Sequence, residues 1–392
     1  MSKRTRIITG IDIGSSLIKV MVFRVAEHEG EPVSQVIGFG KAEARGIERG
    51  YIVNHTDALR SLQSALAEAE KNAKHHVHEA YLAIGGEMLR ADYAHGETIA
   101  QGPNQIITAD DIERAIAYGT EQVRGELVNA HIFPEIVLRT ALDEKKVLGR
   151  AEGMQGNKLE VDTLIVSALA QQFDELKLLA QHAGVHILDA VPAPLAASLV
   201  SLSRVHKRMG AMLIDIGAET TTVTVFEESR PVALFVQPIG SMNLSEELAV
   251  QFRISPEDAD KIKRVGVQGT AFPKKKYDAV VNDFYTKLFT SIRDHFRRMK
   301  FRNILPAGVF LTGGGALASG APDIARDILE LPARVVVSPF EKKGGIPHEY
   351  LMTVYGTCMW AVNLDEEAAE SGIPTPAKAK NLFSYWLKQF IP

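Results

Sequence analysis

Two short Asp-Ile-Gly segments carry the residues best suited to bind a polyphosphate and a metal ion. Residues 12–14 and 215–217 each follow an apolar run and precede a turn of small residues. Gly14 and Gly217 let the backbone turn tightly, so that successive N–H groups point outward as an anion-binding nest. Asp12 and Asp215 would together hold a hydrated Mg²⁺, which takes few protein carboxylates and keeps several waters.

Neighbouring side chains add donors for the same anion. Ser15, Ser16 and Thr220 supply hydroxyl groups, and Lys19 brings a positive charge on the strand after the first turn. A plain hairpin turn is the alternative for either Asp-Ile-Gly segment taken alone. The matched pair favours a phosphate site made by both.

A third segment, Gly313-Gly314-Gly315, joins a buried-strand pattern to a helix that begins near Pro322 and Asp323. Three consecutive glycines allow a flat ligand group to approach the backbone where no Cβ intervenes. Such a turn is a weak signal by itself. Placed after two Asp-Ile-Gly hairpins, it strengthens the prediction of one composite site.

The Asp-Ile-Gly segments belong to an internal repeat. Residues 7–40 and 211–240 each read as strand, small turn, β-branched strand, charged turn and third strand, ending at Gly40 or Gly240. A stretch with helical spacing of apolar residues follows each copy. Two similar α/β halves that face one another make a cleft, and both turns would line it.

Composition restricts the class of protein. The 392 residues are 46% apolar and 23% charged, which is typical of a folded chain with several structural units. The net charge of −4 gives no sign of nucleic-acid binding. Cys358 is the single cysteine and fits a reducing compartment. Since no apolar run suits a signal peptide or a membrane span, we expect a cytoplasmic protein.

The C-terminal sequence reads as a linker and an amphipathic segment. Residues 364–377 are acidic, contain proline and have no apolar period, which is typical of a solvated linker. Residues 378–392 present an apolar face flanked by lysines, which predicts a helix lying in the plane of a membrane. Packing on the protein's own core or on another protein is the alternative. The membrane-facing residues would be Leu382, Phe383, Trp386, Leu387, Phe390 and Ile391.

The three glycine-containing segments, in this order, resemble those of the actin, Hsp70 and sugar-kinase ATPase superfamily. The resemblance implies a first phosphate loop at 12–19, a second at 215–220 and an adenosine loop at 313–316. It also implies a two-lobed α/β fold of duplicated RNase H-like halves that binds ATP and Mg²⁺ between the lobes. The nucleotide-binding residues would be Asp12, Gly14, Ser15, Ser16, Lys19, Asp215, Gly217, Ala218, Glu219, Thr220, Gly240, Lys261, Gly313, Gly314, Gly315 and Ala316. The resemblance also implies that Lys263, on the same helix as Lys261, lies near the adenine.

Within that superfamily the chain resembles the FtsA family of actin-like cell-division proteins over nearly its whole length. Residues 79–163 read strand, strand, helix, strand, strand where actin and Hsp70 carry a different subdomain, and the phrase GMQGNKLEV resembles FtsA closely. The resemblance implies the following division, with the linker 364–377 and the membrane helix 378–392 at the end: subdomain 1A (1–78, 164–192 and 340–363), 1C (79–163), 2A (193–240 and 303–339) and 2B (241–302).

The same resemblance implies a scaffold that polymerises at the cytoplasmic face of the cell membrane and tethers FtsZ filaments at the division site. The FtsZ C-terminal peptide would bind subdomain 2B, other division proteins subdomain 1C, and lipid the terminal helix. The basic runs at 274–276 and 297–302 suit either an acidic peptide or an ordinary solvated surface. The alternatives are an actin-like scaffold of pilus assembly and, with less support, a sugar-kinase-type enzyme.

Several positions depart from the family pattern. The second phosphate loop of relatives commonly reads D-x-G-G-G-T-T-D, whereas this chain has Ala218 and Glu219 at glycine positions and Thr222 at the final acid. Glu219 brings a negative charge beside the γ-phosphate position. Ala193 stands where relatives carry a residue that orients the attacking water, and positioning supplies most of that catalysis. We therefore expect ATP to act mainly as a structural switch, with at most weak ATPase activity.

Overall fold

The computed structural model describes residues 5–371, except 29–30, 300–304, 319 and 337–347. Its strands are β1 (Arg6–Ile13), β2 (Leu17–His28), β3 (Glu31–Glu43), β4 (Ile47–Glu48), β5 (Tyr51–Ile52), β6 (Glu79–Ile84), β7 (Leu89–Ile99), β8 (Ala130–Ile132), β9 (Ile136–Leu142), β10 (Lys145–Lys146), β11 (Lys158–Leu169), β12 (His186–Pro192), β13 (Ala211–Ile216), β14 (Thr221–Glu227), β15 (Arg230–Gln237), β16 (Gly308–Thr312) and β17 (Ala333–Val335). Its helices are α1 (His55–Ala73), α2 (Ala109–Gln122), α3 (Ala170–His182), α4 (Ala193–Ser201), α5 (Arg204–Met209), α6 (Ser241–Phe252), α7 (Pro256–Val265), α8 (Lys274–Arg298), α9 (Ala321–Leu329) and α10 (Met352–Ser371).

Two five-stranded sheets repeat the same arrangement. The first has the order β12-β6-β1-β2-β3, and the second has the order β15-β14-β13-β16-β17. In each, three consecutive strands form an antiparallel meander, and a later strand lies parallel to the first strand of the meander. This pairing confirms the predicted duplicated α/β fold. We call the first sheet with its helices lobe 1 and the second lobe 2.

The central strands are apolar because both faces of each sheet are covered. In lobe 1, α1 packs on β2 and β3, while α10 packs on β1, β2 and β6. A Cβ on Gly40 would lie 2.0 Å from the carbonyl oxygen of Ala65 in α1, and one on Gly10 would lie 2.8 Å from Cys358 Sγ in α10. The helices therefore lie close enough to the sheet that glycine is required beneath them.

A third sheet lies outside the repeat, with the order β10-β9-β11-β7 and with β8 paired to the end of β11. The predicted subdomain 79–163 differs from it at both ends. Residues 79–84 form β6, which pairs with β1 and β12 in the first sheet, whereas residues 164–169 complete β11 in the third. The boundaries were wrong because an apolar strand has the same local pattern in either sheet, and only its partners distinguish them.

The C-terminal end of the described chain is helical. Helix α10 continues to Ser371, so the prediction of a linker was wrong for residues 364–371. Their sequence, LDEEAAES, is rich in strong helix formers. The rest of the predicted linker and the predicted membrane helix lie outside the described residues. None of the helices in the described ranges combines the length and the hydropathy that a bilayer span requires.

Candidate functional site

A cavity of about 410 Å³ lies between the lobes and is lined by both Asp-Ile-Gly turns and by the Gly-rich turn after β16. This volume is within the range of small-molecule and cofactor sites. The predicted residues that the structure brings together here are Asp12, Gly14, Ser15, Ser16, Lys19, Asp215, Gly217, Ala218, Glu219, Thr220, Gly313, Gly314 and Gly315.

Each Asp-Ile-Gly turn closes a hairpin with equivalent geometry. The backbone N–H of Gly14 donates to the carbonyl oxygen of Leu17 at 3.2 Å, and that of Gly217 donates to the carbonyl oxygen of Thr220 at 2.9 Å. Ser15, Ser16, Ala218 and Glu219 of the two turns also line the cavity. The two hairpins therefore bring equivalent turns from opposite lobes to a single space.

The two aspartates share one lysine. Lys19 Nζ lies 2.6 Å from Asp12 Oδ2, and both side chains are largely buried. Burial raises the pKa of Asp215 to about 6, while the charge of Lys19 opposes this rise and that of Asp12 adds to it. A hydrogen bond with the Thr353 side chain also favours the ionised form of Asp215. One lysine does not balance the charge of two carboxylates. Carboxylate oxygens are hard ligands of the kind that Mg²⁺ prefers, so this pair of side chains fits that ion.

The Gly-rich turn is packed so closely that no side chain could replace its glycines. Gly313 has a φ of +82°, and a Cβ there would lie 2.2 Å from Asp215 Oδ1. A Cβ on Gly314 would lie 2.4 Å from Cε1 of the Tyr350 ring. The Tyr285 hydroxyl of α8 donates to the Gly315 carbonyl oxygen at 2.5 Å and holds the turn in place. Gly314 and the Tyr350 ring are partly exposed and offer a flat ligand group an apolar wall, whereas Gly313 and Gly315 are buried.

Three predicted residues do not line the cavity. Ala316 is 1% exposed and belongs to the core of lobe 2. Gly240 packs behind the second turn, where a Cβ would lie 2.3 Å from the carbonyl oxygen of Ala218. Lys261 is mostly exposed, and its Nζ lies 3.1 Å from Asp258 Oδ1. Ala316 and Gly240 therefore support the site from behind, and Lys261 lies outside it.

Of the two lysines that the resemblance places near the adenine, Lys263 lines the cavity and Lys261 does not. Lys263 Nζ lies 2.7 Å from Asp260 Oδ1 and donates to the carbonyl oxygen of Ser241 at 2.9 Å, and burial lowers the pKa of Lys263. Two residues along a helix correspond to a rotation of about 200°, so the two lysines point in nearly opposite directions. The amphipathic pattern of α7 was the signal that could have distinguished them.

Other lining residues were missed because they come from distant parts of the chain. Gly85 and Gly86 follow β6, and this glycine pair after a buried strand was a usable signal. No pattern near Tyr350 pointed to the Gly-rich turn that its ring touches. Ala193, predicted at the water-orienting position, does line the cavity, and its methyl group cannot orient a water molecule.

Glu219 connects the lobes across the cavity. Its carboxylate accepts a hydrogen bond from the backbone N–H of Arg49, which lies in the turn between β4 and β5 of lobe 1. The Arg49 side chain itself binds Glu87, with Nη1 3.3 Å from Oε1. The negative charge of Glu219 therefore stays at the wall of the cavity while it binds the opposite lobe.

A second cavity, of about 520 Å³, lies between α6 and α8 in lobe 2. Three carboxylates, those of Glu246, Glu247 and Asp283, line it together with Val250 and Val280. Lys287 pairs with both Glu247 and Asp283, so it partly neutralises the acids of this lining. The acids of α6 and α8 face this groove, whereas the predicted basic runs lie toward the two ends of α8.

Comparison with known sequences supports the resemblance inferred from the motifs. The family model described as Cell division protein FtsA matches residues 212–356. The FtsA of Pseudomonas aeruginosa is 26% identical over 360 residues, which cover 86% of this chain and 84% of that protein. The FtsA of Bacillus subtilis is 25% identical over 392 residues, covering 94% of this chain and 87% of that protein.

Comparison with solved structures supports the fold. A chain of the PilM–PilN type IV pilus biogenesis complex matches with a TM-score of 0.68 and 16% identity, over 91% of this chain and 98% of that chain. MreB5 of Spiroplasma citri bound to ADP matches with a TM-score of 0.52 and 11% identity, over 93% of this chain and 98% of that chain. At these identities the likeness concerns the actin-like fold alone.

Proposed function

Since the chain is related to the FtsA cell-division proteins and has the fold of the actin-like ATPases, we propose that it is a nucleotide-binding division scaffold. In this proposal it forms filaments at the cytoplasmic face of the membrane and tethers FtsZ filaments there. The observation that carries the nucleotide part is the single cavity to which both Asp-Ile-Gly turns and the Gly-rich turn contribute. The fold relatives include MreB5, which was solved with ADP and with AMPPNP.

We propose that the ligand is ATP or ADP with Mg²⁺. The backbone N–H groups of residues 15–16 and 218–220 would bind the phosphates, and Lys19 would add a positive charge. Asp12 and Asp215 would hold the ion through its waters, and the bound Mg²⁺ would neutralise phosphate charge. Glycine backbone at 313–315 and the Tyr350 ring would contact the base.

The residues at the phosphate end favour a switch over efficient hydrolysis. Ala193 lines the cavity at the position from which a side chain would orient water. Asp12 is paired with Lys19 and would serve the ion, so neither group is placed as a general base. Contacts from both lobes to one ligand would instead stabilise the closed arrangement of the lobes, which is the form competent to assemble.

We propose four subdomains with the boundaries corrected by the sheet pairing. Subdomain 1C would run from β7 to β11 and bind other division proteins. Subdomain 2B, residues 241–302, would bind the FtsZ C-terminal peptide. Because the groove between α6 and α8 is acidic, the acidic peptide is better suited to the basic C-terminal end of α8, which carries Arg297 and Arg298.

Membrane attachment would come from residues 378–392, which lie outside the described part of the chain. The apolar face of this segment (Leu382, Phe383, Trp386, Leu387, Phe390 and Ile391) would bind lipid weakly in one copy. Assembly of the protein into filaments would multiply the affinity for the membrane, because many such segments would then bind the same membrane surface.

Pelleting with liposomes tests the tether. Deletion of residues 378–392, or Trp386→Glu on the apolar face, should leave the protein in the supernatant, whereas Ser384→Glu on the polar face should pellet with the liposomes. Pelleting of the deleted protein would overturn the membrane part of the proposal.

Capture on an immobilised FtsZ C-terminal peptide tests the partner. Arg297→Glu with Arg298→Glu should abolish capture, and Lys145→Glu in the third sheet should leave it unchanged.

The PilM match, with its TM-score of 0.68, favours a pilus-assembly scaffold as the second candidate. Failure of the wild-type chain to bind the FtsZ peptide, with or without nucleotide, would favour that candidate instead.

A further inference from the structure

Glu219 is held in the cavity by a rigid partner. The tip of the β4–β5 hairpin, where Arg49 and Gly50 have φ values of 51° and 91°, rests on the turn after β6. A Cβ on Gly86 would lie 2.3 Å from the carbonyl oxygen of Arg49, so this tip has no room to move inward. The Arg49 N–H that donates to the Glu219 carboxylate is therefore fixed, and the carboxylate is kept at the cavity wall.

Most of the cations that line the cavity are paired with acids other than Glu219. Among the described residues of the lining, the acids are Asp12, Asp215, Glu219 and Asp260, and the cations are Lys19, Lys41, Lys263 and Arg264. Lys263 and Arg264 both pair with Asp260. Lys19 is already paired with Asp12. The Arg49 guanidinium binds Glu87, so it does not neutralise Glu219. Three of the four cations in the lining are thus already held by Asp12 or Asp260, and none of these three pairs with Glu219.

A ligand bound by both turns must pass residue 219, because that residue lies within the second turn itself. With the base at the Gly-rich turn, as proposed above, the terminal phosphate would be the group farthest from that turn. Gly50, Gly85 and Gly86 of lobe 1 form part of the cavity wall. A terminal phosphate at that wall would meet the Glu219 carboxylate. It would also find the Arg49 N–H already occupied as a donor.

We propose that Glu219 makes this cavity select a nucleoside diphosphate over the corresponding triphosphate. The inference rests on the proposed nucleotide site and names its substrate class more closely. With Mg²⁺ bound, the triphosphate carries one more negative charge than the diphosphate, and that charge lies at the end that meets Glu219. Repulsion between two like charges a few ångströms apart at a protein surface is expected to cost the triphosphate about tenfold in affinity.

Affinities of the full-length chain for Mg·ADP and Mg·AMPPNP, measured by calorimetry, test the proposal. The wild type should bind ADP about tenfold more tightly than AMPPNP. Glu219→Gln keeps an acceptor for the Arg49 N–H and removes the charge, so the two affinities should become equal within about twofold. Glu219→Asp keeps the charge and should retain the preference for ADP. Glu219→Gly is a second uncharged variant, and it introduces the glycine that is common at this position of the second phosphate loop in relatives.

Glu121→Gln is the matched control, because it removes a negative charge on α2 that pairs with Arg124 and lies outside the cavity lining. It should leave the affinity ratio unchanged. A wild-type preference for AMPPNP, or a ratio that Glu219→Gln and Glu219→Gly leave unaltered, would overturn the inference while the nucleotide site stands. If the wild type bound neither ligand, the proposed nucleotide site and this inference would both be wrong.

Discussion

Replacing Asp215 with asparagine is expected to stabilise the nucleotide-free protein at neutral pH. Asp215 lies in the cavity beside Asp12, and burial raises its pKa from 3.8 to about 6. A carboxyl group whose pKa is raised by folding costs stability once the pH is high enough to ionise it in the folded state. Asparagine has nearly the same size and carries no charge, so it removes that cost.

The magnitude follows from the two pKa values. A difference of about two units corresponds to about 3 kcal/mol at pH 7.5, where the carboxyl group is ionised in both states. The contribution of Asp215 is fully favourable below its unfolded pKa of 3.8 and is lost as the pH rises toward 6. At pH 4.5 the advantage of asparagine should therefore fall to about 1 kcal/mol.

Urea unfolding followed by circular dichroism, at pH 4.5 and pH 7.5, measures both values in the absence of nucleotide and Mg²⁺. Asp12→Asn is the matched control, because Asp12 is paired with Lys19 at 2.6 Å and its replacement leaves that buried lysine without its carboxylate. That variant should lose stability at pH 7.5. An Asp215→Asn variant that is no more stable than the wild type at pH 7.5, or whose gain does not depend on pH, would refute the reasoning.

Three further predictions concern other parts of the molecule. Gly356→Ala should destabilise the protein by about 2–3 kcal/mol in urea unfolding, because its Cβ would lie 2.0 Å from a carbonyl oxygen of α4. Gly125→Ala, at a position with open space around it, should have little effect on stability. Equal losses of stability in the two variants would argue against close packing of Gly356 on α4. Cys358 is buried with a raised pKa, so a thiol reagent should label it only as the protein unfolds in urea; rapid labelling of the native chain would contradict its burial. Lys263→Ala should weaken ADP binding about tenfold and Lys261→Ala less than about twofold, since only Lys263 lines the cavity; the reverse order in a calorimetric titration would favour the original prediction.

The parts of the fold that depend on short stretches of chain were predictable. The two Asp-Ile-Gly hairpins, with their alternating β-branched strands, appear where the repeat placed them. Helix α1 begins after Asn54, whose side chain accepts a hydrogen bond from the Asp57 backbone, and its apolar spacing was legible in the sequence. Such features follow from interactions between residues a few positions apart.

The errors concern partners that are far apart in the chain. β6 was assigned to the wrong sheet because its apolar pattern does not name the strand it pairs with. The acidic lining of the groove between α6 and α8 depends on how these two helices pack, and the basic runs in the sequence gave no indication of it. Neither property is contained in a local window of sequence.

The sequence by itself determined that two related α/β halves each supply an Asp-Ile-Gly turn and that a Gly-rich turn follows. Residue type and spacing set these features through backbone geometry and hydrophobic periodicity. Only the tertiary structure decided that Lys263 rather than Lys261 lines the cavity, that Tyr350 covers Gly314, and that Glu219 binds the Arg49 backbone of the other lobe. Those contacts arise from the docking of whole elements, whose relative positions depend on the packing of the entire core.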